Sequence, residues 1–289
     1  HFVPAKDIAA ATLAQTMKRF AERHGIRHYF ELGRSGICHT LIPDEGLVVP
    51  ADLVIGADSH TCTYGAVGAF ATGVGSTDMA TAWALGETWF RVPETIRVIF
   101  RGRLPEWVGG KDLILRLLAD LGEEGAHYKA LEFAGETIEA LPMAGRFTVC
   151  NMAIEAGAKT GIIPADEVTR DYLRGRTERS GVYHRPDPDA RYARTVDYDV
   201  GNLEPLVACP YSPANVKPVG QVEALPVDQV VLGSCTNGRV EDFRIAAAIL
   251  KSRAVHPKVR LIAIPGSQAV FRQLLNEGII SPHTRLRLG

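Results

Sequence analysis

The chain has 289 residues, 46% of them hydrophobic, with 32 basic side chains against 33 acidic ones. That apolar content supports a sizeable core, and at roughly 100–200 residues per domain it predicts two domains or one large one. The balanced charge gives no electrostatic case for a nucleic-acid or anionic-membrane partner, and no apolar run is long enough to span a bilayer. No signal-peptide pattern opens the chain, and five cysteines are too few and too scattered for a disulfide scaffold. A reducing, cytoplasmic compartment is therefore expected. The chain opens on His1, and its first methionine is Met17, so it reads as part of a longer protein.

Residues 5–24 carry Ile8, Leu13, Met17 and Phe20 at near-helical spacing, with Gly25 as a stop, and predict a helix. Residues 26–32 predict a strand, and 33–39 a polar loop that ends in Cys38-His39. The apolar run Leu53-Val54-Ile55-Gly56 predicts a buried strand. It breaks into Ala57-Asp58-Ser59-His60-Thr61-Cys62-Thr63, a burst of polar chemistry. A carboxylate beside an imidazole raises its pKa and fixes its tautomer, so Asp58 and His60 form a candidate acid–base pair. The plainer reading is a turn capped by Asp58 and Ser59. Residues 65–75 are rich in Gly and Ala. They predict close backbone packing rather than a dinucleotide loop, because the strand–turn–helix context and downstream acid are not clear. A helix follows from Ser76 through Leu85.

Residues 96–100 alternate as a strand, 111–118 form an apolar-faced helix ended by Gly122, and 131–133 and 137–138 read as short strands. If residues 151–158 are helical, Asn151 and Glu155 share a face, either to hold a water or orient a histidine, or simply as a solvated surface. Residues 174–226 turn to prolines, charges and isolated aromatics and read as a connection between domains. Then Val230-Val231-Leu232-Gly233-Ser234-Cys235 places a thiol between a buried strand and a helix continuing through Leu250. In open α/β sheets that is where ligands bind, and the helix N-terminus there favours negative charge. The residues leave open whether Cys235 is a nucleophile, a metal ligand or a buried filler. Residues 259–265 predict a strand and 268–277 a helix.

Strands alternating with helices argue for α/β architecture. The domain reading is 1–95 and 96–175 as two α/β subdomains, 176–226 as linker, and 227–289 as a partial third.

Four motifs in order carry a resemblance: Gly36-Ile37-Cys38-His39, Ala57-Asp58-Ser59-His60-Thr61, Cys150-Asn151-Met152-Ala153-Ile154-Glu155 and Gly233-Ser234-Cys235-Thr236-Asn237-Gly238-Arg239. With them the chain resembles the large subunits of 3-isopropylmalate dehydratases, in the aconitase superfamily. The resemblance implies aconitase-like three-layer α/β/α units in two to three related subdomains. It implies a hydro-lyase that isomerises 2- and 3-isopropylmalate by dehydration and rehydration, in leucine biosynthesis. The implied cofactor is a 4Fe–4S cluster held by three cysteines, a Lewis acid for a poor leaving group. By resemblance Cys235 is one of those ligands. Asp58, His60, His39, Glu155 and His1 are the catalytic set. Ser59, Asn151, Asn237 and Arg239 surround the substrate or cluster. The family's other two ligands form a Cys-x-x-Cys pair, and this sequence has none after Ile280. The implied partners are a small swivel-domain subunit, which carries the catalytic serine, and a hydroxy-dicarboxylate substrate.

Homoaconitase of lysine biosynthesis is the alternative within the class. Outside it stand a partner-binding remnant without a complete cluster site, and a transferase using Cys235 as nucleophile. Alkylation that abolishes a transfer activity in iron-free protein would favour the latter.

Overall fold

The structure is a computed structural model and describes residues 5–31, 33–251 and 253–280. His1 lies outside the described residues. Two units emerge from the contacts: one takes the described residues of His1–Leu41, Asp228–Ser234 and Gly238–Gly289, the other takes Ile42–Val227 with Cys235–Asn237. These boundaries are not the sequential ones drawn from composition, because the chain leaves the first unit after Leu41 and returns to it at Asp228.

Helices α1 (Ile8–Arg23) and α2 (Cys38–Asp44) come first. Asp7 caps α1, its carboxylate accepting from the Ala10 N–H at 2.7 Å. Residues 26–31 form no strand.

The larger unit is built on parallel strands. β1 (Leu53–Gly56) pairs with β2 (Phe70–Gly73), with Leu53 opposite Phe70 and Gly56 opposite Gly73. Between them runs a 3₁₀ segment, Ser59–Val67, buried from Thr61 onward. Helix α3 (Ser76–Leu85) leads to β3 (Thr95–Arg101), α4 (Gly110–Leu121), β4 (Ala130–Ala134), α5 (Glu136–Ala140), α6 (Met143–Asn151), β5 (Thr160–Ile162), α7 (Glu167–Leu173) and β6 (Arg194–Asp199). The four-stranded sheet has the order β5-β4-β3-β6 and is parallel throughout. On β3, Ile96, Val98 and Phe100 alternate inward. On α4, Leu113, Ile114, Leu117 and Leu118 are fully buried in the same core as Phe133 and Phe147. A short antiparallel pair, β7 (Leu206–Ala208) and β8 (Val216–Pro218), follows.

Helix α6 and strand β5 pack on the 3₁₀ segment, which fixes where its side chains point. The approach is close: a Cβ on Gly65 would lie 1.7 Å from the Gly161 carbonyl oxygen, so the glycine-rich stretch serves backbone packing as expected.

In the first unit β9 (Gln229–Leu232) pairs in parallel with β10 (Arg260–Ala263), with helices α8 (Val240–Leu250) and α9 (Gln268–Asn276). Its core is Val240, Phe243, Ala263, Val270, Leu274 and Ile280. Parallel pairs joined by helices make a mixed α/β architecture with several α/β/α-like parts.

Further expectations need correction. Strand β1 is not buried: Leu53 is 66% exposed and the other three residues are half-buried. Thr137 and Ile138 lie in α5, not a strand; the Thr137 hydroxyl donates to Gly102 O and Glu136 accepts from the Gly102 N–H, tertiary bonds that override β-branched propensity. The stretch read as a connection supplies β6, an edge strand against β3. Of its residues only Tyr198 is buried, so it shows no apolar alternation. Val230 and Val231 are 42% and 53% exposed, because among the described residues β9 has a single neighbouring strand, β10, and few apolar neighbours.

Candidate active site

The end of β1 delivers the first cluster. Asp58 ends the extended backbone and caps the 3₁₀ segment, its carboxylate accepting from the His60 N–H at 2.8 Å. The plainer reading of Asp58 as a cap is thus part of the structure. It aims the His60 ring toward Glu155, 95 residues away: Nε2 lies 3.2 Å from Glu155 Oε1. Nδ1 lies 3.2 Å from the Ser59 hydroxyl and 3.8 Å from Asp58 Oδ1. In a neutral ring whose Nε2 donates to Glu155, Nδ1 is an acceptor for that hydroxyl.

The His60 pKa is raised, first by the hydrogen bond to Glu155, against burial, with the charges of Glu155 and Asp58 adding to the rise. The same bond holds the Glu155 carboxyl below its ordinary range against burial, helped by the positive charges of His60 and Lys111. Both side chains keep a solvent edge, His60 at 25% and Glu155 at 34% exposure, so a ligand can reach them. A cationic imidazole held by a carboxylate is a proton donor poised above the ordinary histidine range.

The second cluster is the Cys235–Asn237 turn. It lies between β9 and α8 in sequence, yet belongs to the larger unit. Asn151, fully buried at the end of α6, explains why. Its Nδ2 donates to Thr63 Oγ1 at 2.8 Å and reaches Cys235 O at 3.4 Å, while its Oδ1 accepts from the Thr236 hydroxyl at 2.7 Å. One turn earlier Thr148 Oγ1 accepts from Asn237 Nδ2 at 3.1 Å and lies 3.2 Å from Thr236 O. The network continues to the first cluster, since Thr63 Oγ1 also donates to His60 O at 2.6 Å.

Asn151 and Glu155 were expected on one helical face. Instead α6 ends at Asn151 and a 3₁₀ turn, Met152–Ala156, follows. The amide therefore serves the Cys235 turn and the carboxylate serves His60. Thr63, Thr148 and Thr236 were missed; the signal available was Thr148 three residues before Asn151 on one helix face.

His39 and Arg239 belong to the other unit. His39 is buried, its ring 3.6 Å from Cys38 Sγ, and Arg239 Nη2 donates to its carbonyl at 2.7 Å. That contact gives the buried Arg239 guanidinium a structural task. Arg239 also starts α8 as expected of its neighbourhood, its N–H donating to Asp242 at 2.9 Å.

No disulfide joins the five cysteines. Burial pushes the Cys62 thiol up to about 12, and it donates to Asn151 O at 3.3 Å; burial drives Cys150 up as well. Neither suits a metal, which binds thiolate. Cys209 and Cys235 are the half-exposed thiols of this unit, and of the two it is Cys235 whose turn is bonded to Asn151. Among the described residues no group of three His, Cys, Asp or Glu side chains is placed to hold a metal ion. One ligand does not fit a three-cysteine cluster, so the residues present do not by themselves hold one.

The family model for aconitase (aconitate hydratase) matches residues 4–285. The chain belongs to the aconitase family. Within it the chain is similar to curated 3-isopropylmalate dehydratase large subunits: 57% identical over 281 residues to that of Moorella thermoacetica, covering 97% of this chain and 67% of the relative. Against Thermodesulfovibrio yellowstonii it is 56% identical over 280 residues, covering 97% and 66%. Against Sulfurihydrogenibium sp. it is 55% identical over 280 residues, covering 97% and 65%. The chain thus spans about two thirds of the length of these relatives. The α/β architecture agrees with the aconitase family fold. No helix among the described residues is long and apolar enough to cross a membrane.

Proposed function

We propose that this chain belongs to the large subunit of a cytoplasmic hydro-lyase that interconverts 2- and 3-isopropylmalate in leucine biosynthesis, working with a small subunit. The observation that carries this reading is the His60–Glu155 pair, joined through Thr63 and Asn151 to the Cys235 turn within one unit. Similarity to 3-isopropylmalate dehydratase large subunits supports the choice of substrate.

In this reading His60 holds the moving proton. Glu155 keeps the ring protonated beyond the ordinary histidine range, and His60 gives that proton to the departing hydroxyl, which leaves as water. In the same step the small subunit's serine, expected from the resemblance, takes the proton of the adjacent carbon, and the C–H pair becomes the C=C bond. In rehydration His60 takes a proton back from water, the hydroxyl adds to one carbon of the double bond, and the serine returns its proton to the other. Ser59 keeps the ring oriented through Nδ1, and Asp58 sets the backbone that carries both. We retain Asp58, His39 and His1 with His60 and Glu155 as the catalytic assignment, and Asn151, Asn237 and Arg239 as surroundings. Cys235 is our assigned metal ligand; the 4Fe–4S cluster would supply the Lewis acid, and its remaining ligands are not among the residues described.

The test is turnover of 2-isopropylmalate by the assembled large and small subunits. His60→Ala should lower kcat by about 100-fold or more, the usual worth of a general acid, with little change in folding. A preference for homocitrate would move the reading to homoaconitase. Absence of hydration and dehydration on any hydroxy-dicarboxylate would overturn it.

A further inference from the structure

Beside the His60–Glu155 pair lies a cavity of about 450 Å³ to which nothing above assigns a role. Two of its walls belong to the pair's own neighbourhood: Ser59, whose hydroxyl is 3.2 Å from His60 Nδ1, and Ile154, which precedes Glu155. It opens past the carboxyl end of β2, the end of a parallel sheet where ligands bind. The rest of the lining is chemically mixed. Lys159 brings a cation, held 5.0 Å from the centroid of the Tyr128 ring. No carboxylate among the described residues pairs with that ammonium. Trp89 and Phe90 bring apolar surface, and Trp89 is 83% exposed. Asp78, in the first turn of α3, brings one negative charge.

A half-buried cation without a carboxylate partner calls for an anion, and the aromatic wall calls for an apolar group. Asp78 opposes a second carboxylate at this end. We infer that this cavity is a specificity subsite of the adjoining centre: Lys159 takes the non-reacting carboxylate of the substrate, and Trp89 and Phe90 cover its branched apolar group. The inference rests on the hydro-lyase reading. It adds the residues by which this chain itself senses the substrate's unreactive end.

The test is steady-state kinetics of the assembled enzyme on 2-isopropylmalate and on 2-methylmalate, which keeps the carboxylates and shortens the branch. Lys159→Met should raise KM for both about 10-fold with kcat nearly retained, and Lys159→Arg should restore most of the loss. Trp89→Ala should raise KM about 10-fold for the isopropyl compound and much less for the methyl one. Lys217→Met, a remote exposed substitution on β8, is the control. Direct titration of 2-isopropylmalate into the chain should show weakened binding in Lys159→Met. An enzyme that turns over 2-isopropylmalate with an unchanged KM in Lys159→Met and Trp89→Ala overturns the subsite and leaves the hydro-lyase reading intact. An enzyme with no turnover, whose parent chain binds neither compound, overturns both.

Discussion

The two units use their apolar residues differently. In the larger one, α4 buries residues on most of its circumference, and β3 alternates fully buried side chains into the same core. In the smaller one, the described core is six residues on two helices, one strand and the segment after α9, while Val230 and Val231 on β9 stay exposed. The larger unit also holds a fully buried guanidinium. Arg146 is 0% exposed and is held at both ends of its fork by Asp166, with further bonds to Leu141 O and Glu139 O. A dense apolar frame fixes the distances that such bonds need. The side chains of both clusters, His60 with Glu155 and Asn151 with the Cys235 turn, belong to the dense unit.

The sharpest way to break the contrast is Arg146→Ala. Burial works to raise the Asp166 carboxyl, yet Arg146 and Thr169 hold it below its ordinary value. Removing the guanidinium strands a carboxylate and two carbonyls, and should cost about 3–5 kcal/mol in urea unfolding of the larger unit. An effect under about 1 kcal/mol would mean that water repairs the site.

Leu274→Ala, fully buried in the small core, should cost about 2–3 kcal/mol. Hydrogen exchange should place that loss in α8, α9 and β10, with amides of α4 and β3 unchanged. Equal acceleration of α4 would show that the units unfold together.

Thr148→Val keeps volume and removes the hydroxyl that serves the Cys235 turn. It should destabilise by about 1–2 kcal/mol and speed exchange of the 235–237 amides, and Thr148→Ser should restore both. Unchanged exchange at the turn would assign its order to Asn151 alone.

The smallest effect is expected at the exposed edge. His60 is raised from 6.5, so its contribution is full below that value and is lost as pH rises through the folded pKa. Glu155 is lowered from 4.5, so its contribution is present above that value and is lost as pH falls through the folded pKa. Glu155→Gln should therefore lose most stability between these two values, by less than about 1 kcal/mol given its exposure, and less at alkaline pH. It should also move the alkaline limb of activity to lower pH, because His60 loses the partner that keeps it protonated. An unmoved limb would remove Glu155 from control of His60.

The sequence by itself determined the α/β class, helices α1, α3, α4, α8 and α9 close to their observed bounds, and the family. These are local matters: periodicity near 3.6, glycine stops and short motifs are all written in consecutive residues. Also legible was that Asp58 and His60 stand where an apolar run breaks into polar residues, whereas Glu155 was left open by its spacing and joined the catalytic set only through the family resemblance. The tertiary structure alone decided which groups meet. His60 faces Glu155 across 95 residues, α6 stops at Asn151 so that two residues one turn apart serve different partners, and β6 completes a sheet without an apolar pattern of its own. The unit that holds the Cys235 turn was equally invisible, because a few hydrogen bonds to Thr148 and Asn151 place it there against the chain on either side. Such pairings depend on distance in space, and a linear pattern carries no measure of that.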